Sequence, residues 1–119
     1  MKLAEIKKLL NADVILGEDL LDTVDVETAF ASDLLSDVLA YSKESALFIT
    51  GLTNPQVIRT VEVLDLVGVL FVRGKVPQME TVELAKRKNI PLLRTKCIMF
   101  ESVGRLYGAG VKASRVMVD

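Results

Sequence analysis

The sequence predicts a single three-layer α/β domain with a mostly parallel central sheet of about five strands, covered by helices on both faces. Two apolar runs of strand length, 46–50 and 68–72, alternate with segments whose apolar residues recur at helical spacing. Continuous apolar strands between helices are typical of parallel sheets buried on both faces. The chain has 119 residues and no long linker, so one domain over 1–119 is expected.

The first part of the chain predicts a helix followed by two strands. Residues 2–10 place Leu3, Ile6 and Leu10 on one helical face. The run 14–16 before Gly17 indicates a short strand, and residues 24–30 alternate apolar and polar side chains as a half-exposed strand does.

The middle of the chain predicts a helix, a buried strand and a second helix. Ser32 is the expected N-cap of the first helix. The apolar stripe of that helix comprises Leu34, Leu35, Val38 and Leu39, and Tyr41 extends it. The strand 46–50 ends at Gly51, and Thr53 or Asn54 caps the next helix with Pro55 in its first position. That helix presents Val57, Ile58, Val61 and Leu64.

The last part of the chain predicts two further strand–helix pairs. The strand 68–72 precedes a helix over 78–88, which Pro77 opens. The inward residues of that helix are predicted to be Met79, Val82, Leu84 and Ala85. A strand over 90–95 and a helix over 98–107 follow. The remaining 111–119 segment alternates Val111, Val116 and Val118 with other residues, as an edge strand or a tail would.

Composition excludes several functional classes. Fifteen Lys and Arg residues oppose sixteen Asp and Glu, so there is no basic footprint for nucleic acid or for a membrane surface. Histidine is absent, which excludes Ser-His-Asp and Cys-His catalysis and His-based zinc sites. The single Cys97 excludes an internal disulfide and a CxxC metal site, and an unpaired cysteine fits a reducing compartment. With neither a signal peptide nor an apolar run long enough to span a membrane, a cytoplasmic protein is expected.

Polar residues cluster where the predicted parallel strands end, which is where open α/β sheets bind ligands. The candidate ligand-binding residues at these ends are Thr50, Gly51, Thr53, Asn54, Arg73, Gly74, Thr95 and Lys96. Helix N-termini and two cations converging at one edge favour an anion such as a nucleotide or a phosphorylated metabolite. The alternative is that these glycines and capping residues serve only the turns that every strand–helix connection needs.

Other motifs do not indicate chemistry. The segment 68–75 imitates a phosphate-binding P-loop, but it has one residue too many between its glycines, and Val76 stands where Ser or Thr would hold magnesium. The acidic residues between Asp19 and Asp37 match no metal-binding loop and indicate a solvated face. Cys97 is interpreted as a small, partly buried residue. We therefore predict no catalytic residues, no metal site and no cofactor.

One segment carries a resemblance to a known family. The residues Ile90-Pro91-Leu92-Leu93-Arg94-Thr95, preceded by Glu83-Leu84-Ala85 and followed by a helix, resemble the N-terminal domain of bacterial HPr serine kinase/phosphorylase and the related DRTGG domain. The segments 3–12 and 46–51 are also typical of DRTGG domains. Of the residues that name the family, only Gly74 is matched. The resemblance implies a stand-alone regulatory or ligand-sensing domain without the P-loop kinase domain, acting on a partner protein.

Three functional hypotheses follow. The leading one is a non-enzymatic regulatory module that binds a small anionic ligand or a partner protein. The alternatives are a small enzyme of phosphoryl or acyl chemistry using Thr50, Thr53, Arg73 and Lys96, and a structural assembly domain. The high apolar content of a small chain also predicts a homodimer, with its seam along the 111–118 segment or the helix with Leu34 and Leu39.

Overall fold

Residues 1–116 are described by the computed structural model, and they form six strands and five helices. The helices are α1 (Leu3–Leu9), α2 (Leu35–Tyr41), α3 (Gln56–Leu64), α4 (Met79–Lys88) and α5 (Met99–Gly108). The strands are β1 (Asp13–Leu16), β2 (Thr28–Ala31), β3 (Ala46–Thr50), β4 (Gly68–Phe71), β5 (Leu92–Arg94) and β6 (Lys112–Ala113).

All six strands belong to one sheet, in the order β1-β5-β4-β3-β2-β6. Every neighbouring pair is parallel except β1 and β5, which run antiparallel. The predicted α/β fold with a mostly parallel sheet is therefore confirmed. The edge strand β6 lies in the 111–119 segment, for which the sequence allowed either an edge strand or a tail. Val118 of that segment lies outside the described residues.

The sheet separates two hydrophobic cores, because alternate residues of each buried strand point to opposite faces. In β3, Leu47 and Ile49 face one core with α1 and α5, whereas Ala46 and Phe48 face the other with α3. Two helices thus cover one face, and α2, α3 and α4 cover the other. This arrangement confirms the predicted three layers.

The strand predicted over 24–30 is wrong in its first half, since β2 begins only at Thr28. The preceding residues run alongside the start of the chain instead. The Val26 N–H donates to the carbonyl of Met1 at 2.7 Å, and the Leu3 N–H donates to that of Val24 at 3.1 Å. The Met1 ammonium also binds Asp25 Oδ1 at 2.9 Å, which lowers the pKa of that carboxyl. The alternating pattern of residues 24–27 therefore comes from one buried side chain, Val26, in a segment that lies outside the sheet.

Two predicted helical stripes are wrong in part. In α2, Val38 is buried, whereas Leu34 is the N-cap and remains 57% exposed. In α4, Met79 is 77% exposed and the buried positions are Thr81 and Ala85. Threonine is a polar residue, so Thr81 was not counted as an inward position. Counting only apolar residues placed the inward face of α4 on the side of Met79.

Candidate functional site

The parallel strands β2 to β6 all end on the same side of the sheet, where the sequence places the candidate ligand-binding residues. The antiparallel β1 begins at that side, so Asp13 lies opposite Arg94 in the sheet register. Polar loops from five strands and the amino end of a sixth thus share one edge, which we call the carboxyl edge.

Asp33 and the three residues around it form the first polar group on this edge. Asp33 Oδ1 accepts the hydroxyl of Thr50 at 3.1 Å and the backbone N–H of Gly51 at 2.7 Å. Its other oxygen lies 3.6 Å from the guanidinium of Arg73. A backbone amide, a hydroxyl and a guanidinium are the donors expected to hold a ligand's anion, but here the chain's own carboxylate receives them.

The loop after β3 is held by its own structural bonds. Asn54 Oδ1 accepts the N–H of Gln56 at 3.0 Å, so Asn54 satisfies one amide of the first turn of α3. The Thr53 carbonyl accepts the N–H of Gln78 at 3.1 Å and the hydroxyl of Thr81 at 2.7 Å. These bonds anchor α4 to the loop, which is the role expected of an ordinary strand–helix connection.

The loop after β4 turns through two left-handed residues and joins the loop after β5. Arg73 has φ +60 and Gly74 has φ +66. The Arg73 N–H donates to the Cys97 carbonyl at 2.8 Å, and the Gly74 N–H donates to the Thr95 carbonyl at 2.8 Å. The Gly74 carbonyl in turn accepts Arg94 Nε at 3.1 Å. Backbone bonds therefore fix the two loops to one another.

Thr95 is a buried linker rather than a ligand-facing hydroxyl. Its side chain donates to the Leu10 carbonyl at 2.8 Å and accepts the Cys97 N–H at 3.2 Å, and the residue is 1% exposed. It joins the end of β5 to the end of α1, which brings Leu10 and Asn11 up to the carboxyl edge.

A polar pocket of about 330 Å³ opens at this junction, and we call it the β5 pocket. Its lining residues are Leu10, Asn11, Asp13, Arg94, Thr95, Lys96, Cys97 and Arg105. Three of these carry positive charge and one, Asp13, carries negative charge. The cations come from β5, from the loop after it and from α5, so the field inside the pocket is positive.

The three cations differ in how far they are already paired. Arg94 lies 3.6 Å from Asp13 Oδ2. Arg105 binds Glu101 at 3.0 Å and the Leu9 carbonyl at 3.3 Å. Within residues 1–116, no carboxylate oxygen lies within ion-pair distance of the Lys96 ammonium.

The structure places five of the eight predicted site residues in these two groups, whereas Thr53, Asn54 and Gly74 make bonds that hold the loops. Thr50, Gly51 and Arg73 surround Asp33, whereas Thr95 and Lys96 belong to the β5 pocket. Sequence reasoning missed Asp33, Arg94 and Arg105. Asp33 lies two residues after the end of β2 and was assigned to a solvated acidic face. Arg94 ends a recognised strand, so position could have identified both, but nothing in the sequence places Arg105 beside α1.

A second concave surface is apolar and lies beside the edge strand. A groove of about 310 Å³ runs between β2, β6 and α5, with Ala29, Ala31 and Val111 in its lining. Tyr107 of α5 lines the groove and is 71% exposed, and Phe100, two helical turns earlier on α5, is 86% exposed. Only two helices cover this face of the sheet, which leaves the strip over β2 and β6 open.

Two further findings limit the types of site in residues 1–116. No group of three or more acidic or cysteine side chains is arranged to hold a metal ion in this part of the chain. Over the same residues, no helix has both the length and the hydropathy to cross a bilayer.

No family model and no curated protein matches the chain. Among solved structures, it is similar to the CBS and DRTGG domains of the regulatory region of Clostridium perfringens pyrophosphatase in complex with the activator diadenosine tetraphosphate. The TM-score is 0.73 at 18% sequence identity, over 98% of this chain and 52% of that chain. The chain thus spans about half the length of that structure. A likeness at this identity establishes a shared fold, and it agrees with the resemblance to DRTGG domains.

Proposed function

We propose that this chain is a regulatory domain that senses a small anionic ligand in the β5 pocket and has no catalytic activity of its own. The observation that carries the proposal is the excess of cations around this pocket at the carboxyl edge. A pocket of about 330 Å³ falls within the size range of small-molecule sites. The fold it shares also occurs in an enzyme's regulatory region that binds a polyphosphate activator, which supports a sensing role.

Lys96 is the residue on which binding should depend most. Its ammonium has no ion-pair partner among residues 1–116, so a ligand anion replaces water there without breaking an existing contact. Arg73 is different, because Asp33 already neutralises it. The other residues predicted from sequence, Thr50, Gly51, Thr53, Asn54 and Gly74, lie outside the lining of this pocket, and their role as ligand contacts stays a prediction that this proposal does not use.

The test is a thermal-shift comparison of phosphorylated metabolites and nucleotides with their uncharged counterparts. A ligand that binds the native state raises the melting temperature, and the rise grows with ligand concentration. We expect anions alone to raise it, and Lys96→Ala to remove the rise. Lys86→Ala is the matched control, since Lys86 is an exposed lysine on α4 across the sheet. An equal rise in Lys96→Ala and wild type contradicts the proposal.

The enzyme alternative finds less support in the geometry. Of the threonines predicted at the carboxyl edge, Thr50 and Thr95 are at most 1% exposed. Each hydroxyl already donates a hydrogen bond, Thr50 to Asp33 and Thr95 to Leu10. A reacting group would have to displace these bonds before it could reach either oxygen.

A second function, self-assembly, is favoured by the apolar strip on α5 and β6. We propose that the chain forms a homodimer in which Phe100 of each copy lies against the groove of the other. A projecting aromatic side chain and an apolar groove on one face are self-complementary under a two-fold axis. The predicted 111–118 seam overlaps the groove lining, which includes Val111 and Ala113.

Light scattering tests the homodimer directly. We expect a dimer mass for wild type and a monomer mass for Phe100→Glu. Val63→Glu is the matched control, because Val63 is 72% exposed on α3 at the opposite face. A monomeric wild type, or dissociation by both variants alike, contradicts the proposed seam.

A further inference from the structure

We infer that the β5 pocket is specific for a small, non-aromatic phosphate ester that carries hydroxyl groups, the chemical class of sugar and polyol phosphates. The inference rests on the proposed function and names the ligand class of the same site. It depends on three features of the pocket: where its cations lie, where its acceptors lie and what its lining lacks.

The cations favour a group with several acceptor oxygens. Arg94, Lys96 and Arg105 line the pocket against Asp13, and Glu101 binds Arg105 from outside the lining, so the net charge is +1 (3 − 2). The donors of three cations match the three oxygens of a phosphate monoester better than the two oxygens of a carboxylate. The Arg105 guanidinium keeps donors available beyond its bonds to Glu101 and Leu9, because it has five N–H groups. Lys96 supplies an unpaired point charge, so the phosphate is expected between Lys96 and Arg105.

The opposite requirement comes from Asp13, a carboxylate that lines the same pocket. Its side chain is 74% exposed and only 3.6 Å from Arg94, so it keeps acceptor capacity towards a ligand. A carboxylate repels a bare anion but accepts hydrogen bonds from hydroxyl groups. Asn11, also in the lining, adds an amide that can donate or accept. A ligand that satisfies both ends therefore joins a phosphate to hydroxyl-bearing carbons.

The lining also disfavours a nucleotide. It contains no Phe or Tyr, so a purine or pyrimidine ring has no aromatic face to stack on. The volume of about 330 Å³ lies near the lower end of the range for small-molecule sites. A dinucleotide polyphosphate such as the activator of the pyrophosphatase region is much larger than such a pocket.

The test is calorimetric titration of the chain with four probes: ribose 5-phosphate, inorganic phosphate, ribose and AMP. We expect ribose 5-phosphate to bind about tenfold more tightly than inorganic phosphate, since hydrogen bonds to a charged acceptor add to the phosphate contacts. Ribose should not bind measurably. AMP, which differs from ribose 5-phosphate by its adenine, should bind no more tightly.

Asp13→Asn separates the two ends of the ligand. We expect it to weaken ribose 5-phosphate about threefold or more and to leave inorganic phosphate unchanged or tighter, because it removes an acceptor and a repulsive charge together. Lys96→Ala should weaken both about tenfold. Asp37→Asn, at an exposed position on α2, is the matched control for the change in charge and should alter neither.

The outcomes distinguish this inference from the proposed function. If AMP binds more tightly than ribose 5-phosphate, or Asp13→Asn weakens both phosphate probes equally, the ligand class is wrong while anion sensing stands. If AMP, ribose 5-phosphate and inorganic phosphate all fail to bind, both are wrong.

Discussion

Replacing Thr95 by valine should destabilise the domain by about 2 kcal/mol, although the two side chains have nearly the same shape. The Thr95 hydroxyl is the partner of two backbone groups, the Leu10 carbonyl at 2.8 Å and the Cys97 N–H at 3.2 Å. Valine leaves both groups without that partner, and each unsatisfied group costs about 1–3 kcal/mol when buried. The Leu10 carbonyl keeps a weak contact from the Cys97 thiol at 4.0 Å, and Cys97 is only partly buried, so the lower part of the summed range is expected.

Thr60→Val is the matched control for this change. Thr60 is 2% exposed, and its hydroxyl donates to the Gln56 carbonyl at 2.9 Å. That carbonyl already accepts a bond in the helical ladder of α3, so valine leaves no backbone group unsatisfied. We expect a change in the free energy of unfolding within about 0.5 kcal/mol.

Urea unfolding of wild type and both variants measures the difference, provided that the slope of free energy against urea is the same in all three. A Thr95→Val variant within about 0.5 kcal/mol of Thr60→Val would refute the view that Thr95 joins β5 to α1.

Three further changes test other parts of the fold. Asp33→Ala should lower the free energy of unfolding in urea by about 1–2 kcal/mol, because the Thr50 and Gly51 donors lose their acceptor at a half-exposed site. Asp37→Ala is the control and should lower it by less than about 0.5 kcal/mol. Equal losses would argue against a structural role for the polar group around Asp33. Gly17→Ala should lower stability by about 1–3 kcal/mol, since Gly17 has φ +94 and an added Cβ would lie 2.7 Å from Pro91 Cβ. Gly104→Ala in α5, with open space around its added Cβ, should instead raise stability by up to about 1 kcal/mol. A Gly17→Ala variant more stable than Gly104→Ala would contradict both expectations. The Met1 ammonium lowers the pKa of Asp25 below 3.8, so the stability that this pair contributes is present above pH 3.8 and is lost as pH falls through the lower folded-state pKa. In urea unfolding, Asp25→Asn should therefore be less stable than wild type above pH 3.8, and the difference in free energy of unfolding should shrink as the pH falls. A difference that grows as the pH falls would overturn the assignment.

The buried strands and the three-layer fold could be predicted because short runs of apolar residues, alternating with helical spacing, indicate them locally. The run 46–50, apolar except for Thr50 at its end, matches β3 residue for residue, since a strand buried on both faces carries apolar residues in succession. Elements with one exposed face were harder. Val24 and Val26 alternate like a strand, but their backbone bonds go to the start of the chain, and that long-range pairing has no local signal.

The sequence predicts which edge of the sheet carries the candidate site, but it does not predict which residues line the pocket there. Parallel strands fix the carboxyl edge, and Thr95 and Lys96 follow directly from the end of β5. Which cation is paired depends on residues distant in sequence. Arg73 lies 3.6 Å from Asp33, whereas Lys96 shares the β5 pocket with Arg105 from the last turn of α5. Such partnerships arise from packing between elements, and single-sequence periodicity does not contain them.

The central claim is that a small anion binds in the β5 pocket. The most direct measurement is an amide ¹H–¹⁵N NMR titration with ribose 5-phosphate. We expect shift changes concentrated at Asn11, Lys96 and Cys97, which line that pocket, and little change at Gly51 and Asn54. Shift changes centred on Gly51 and Asn54, or none at all, would contradict it.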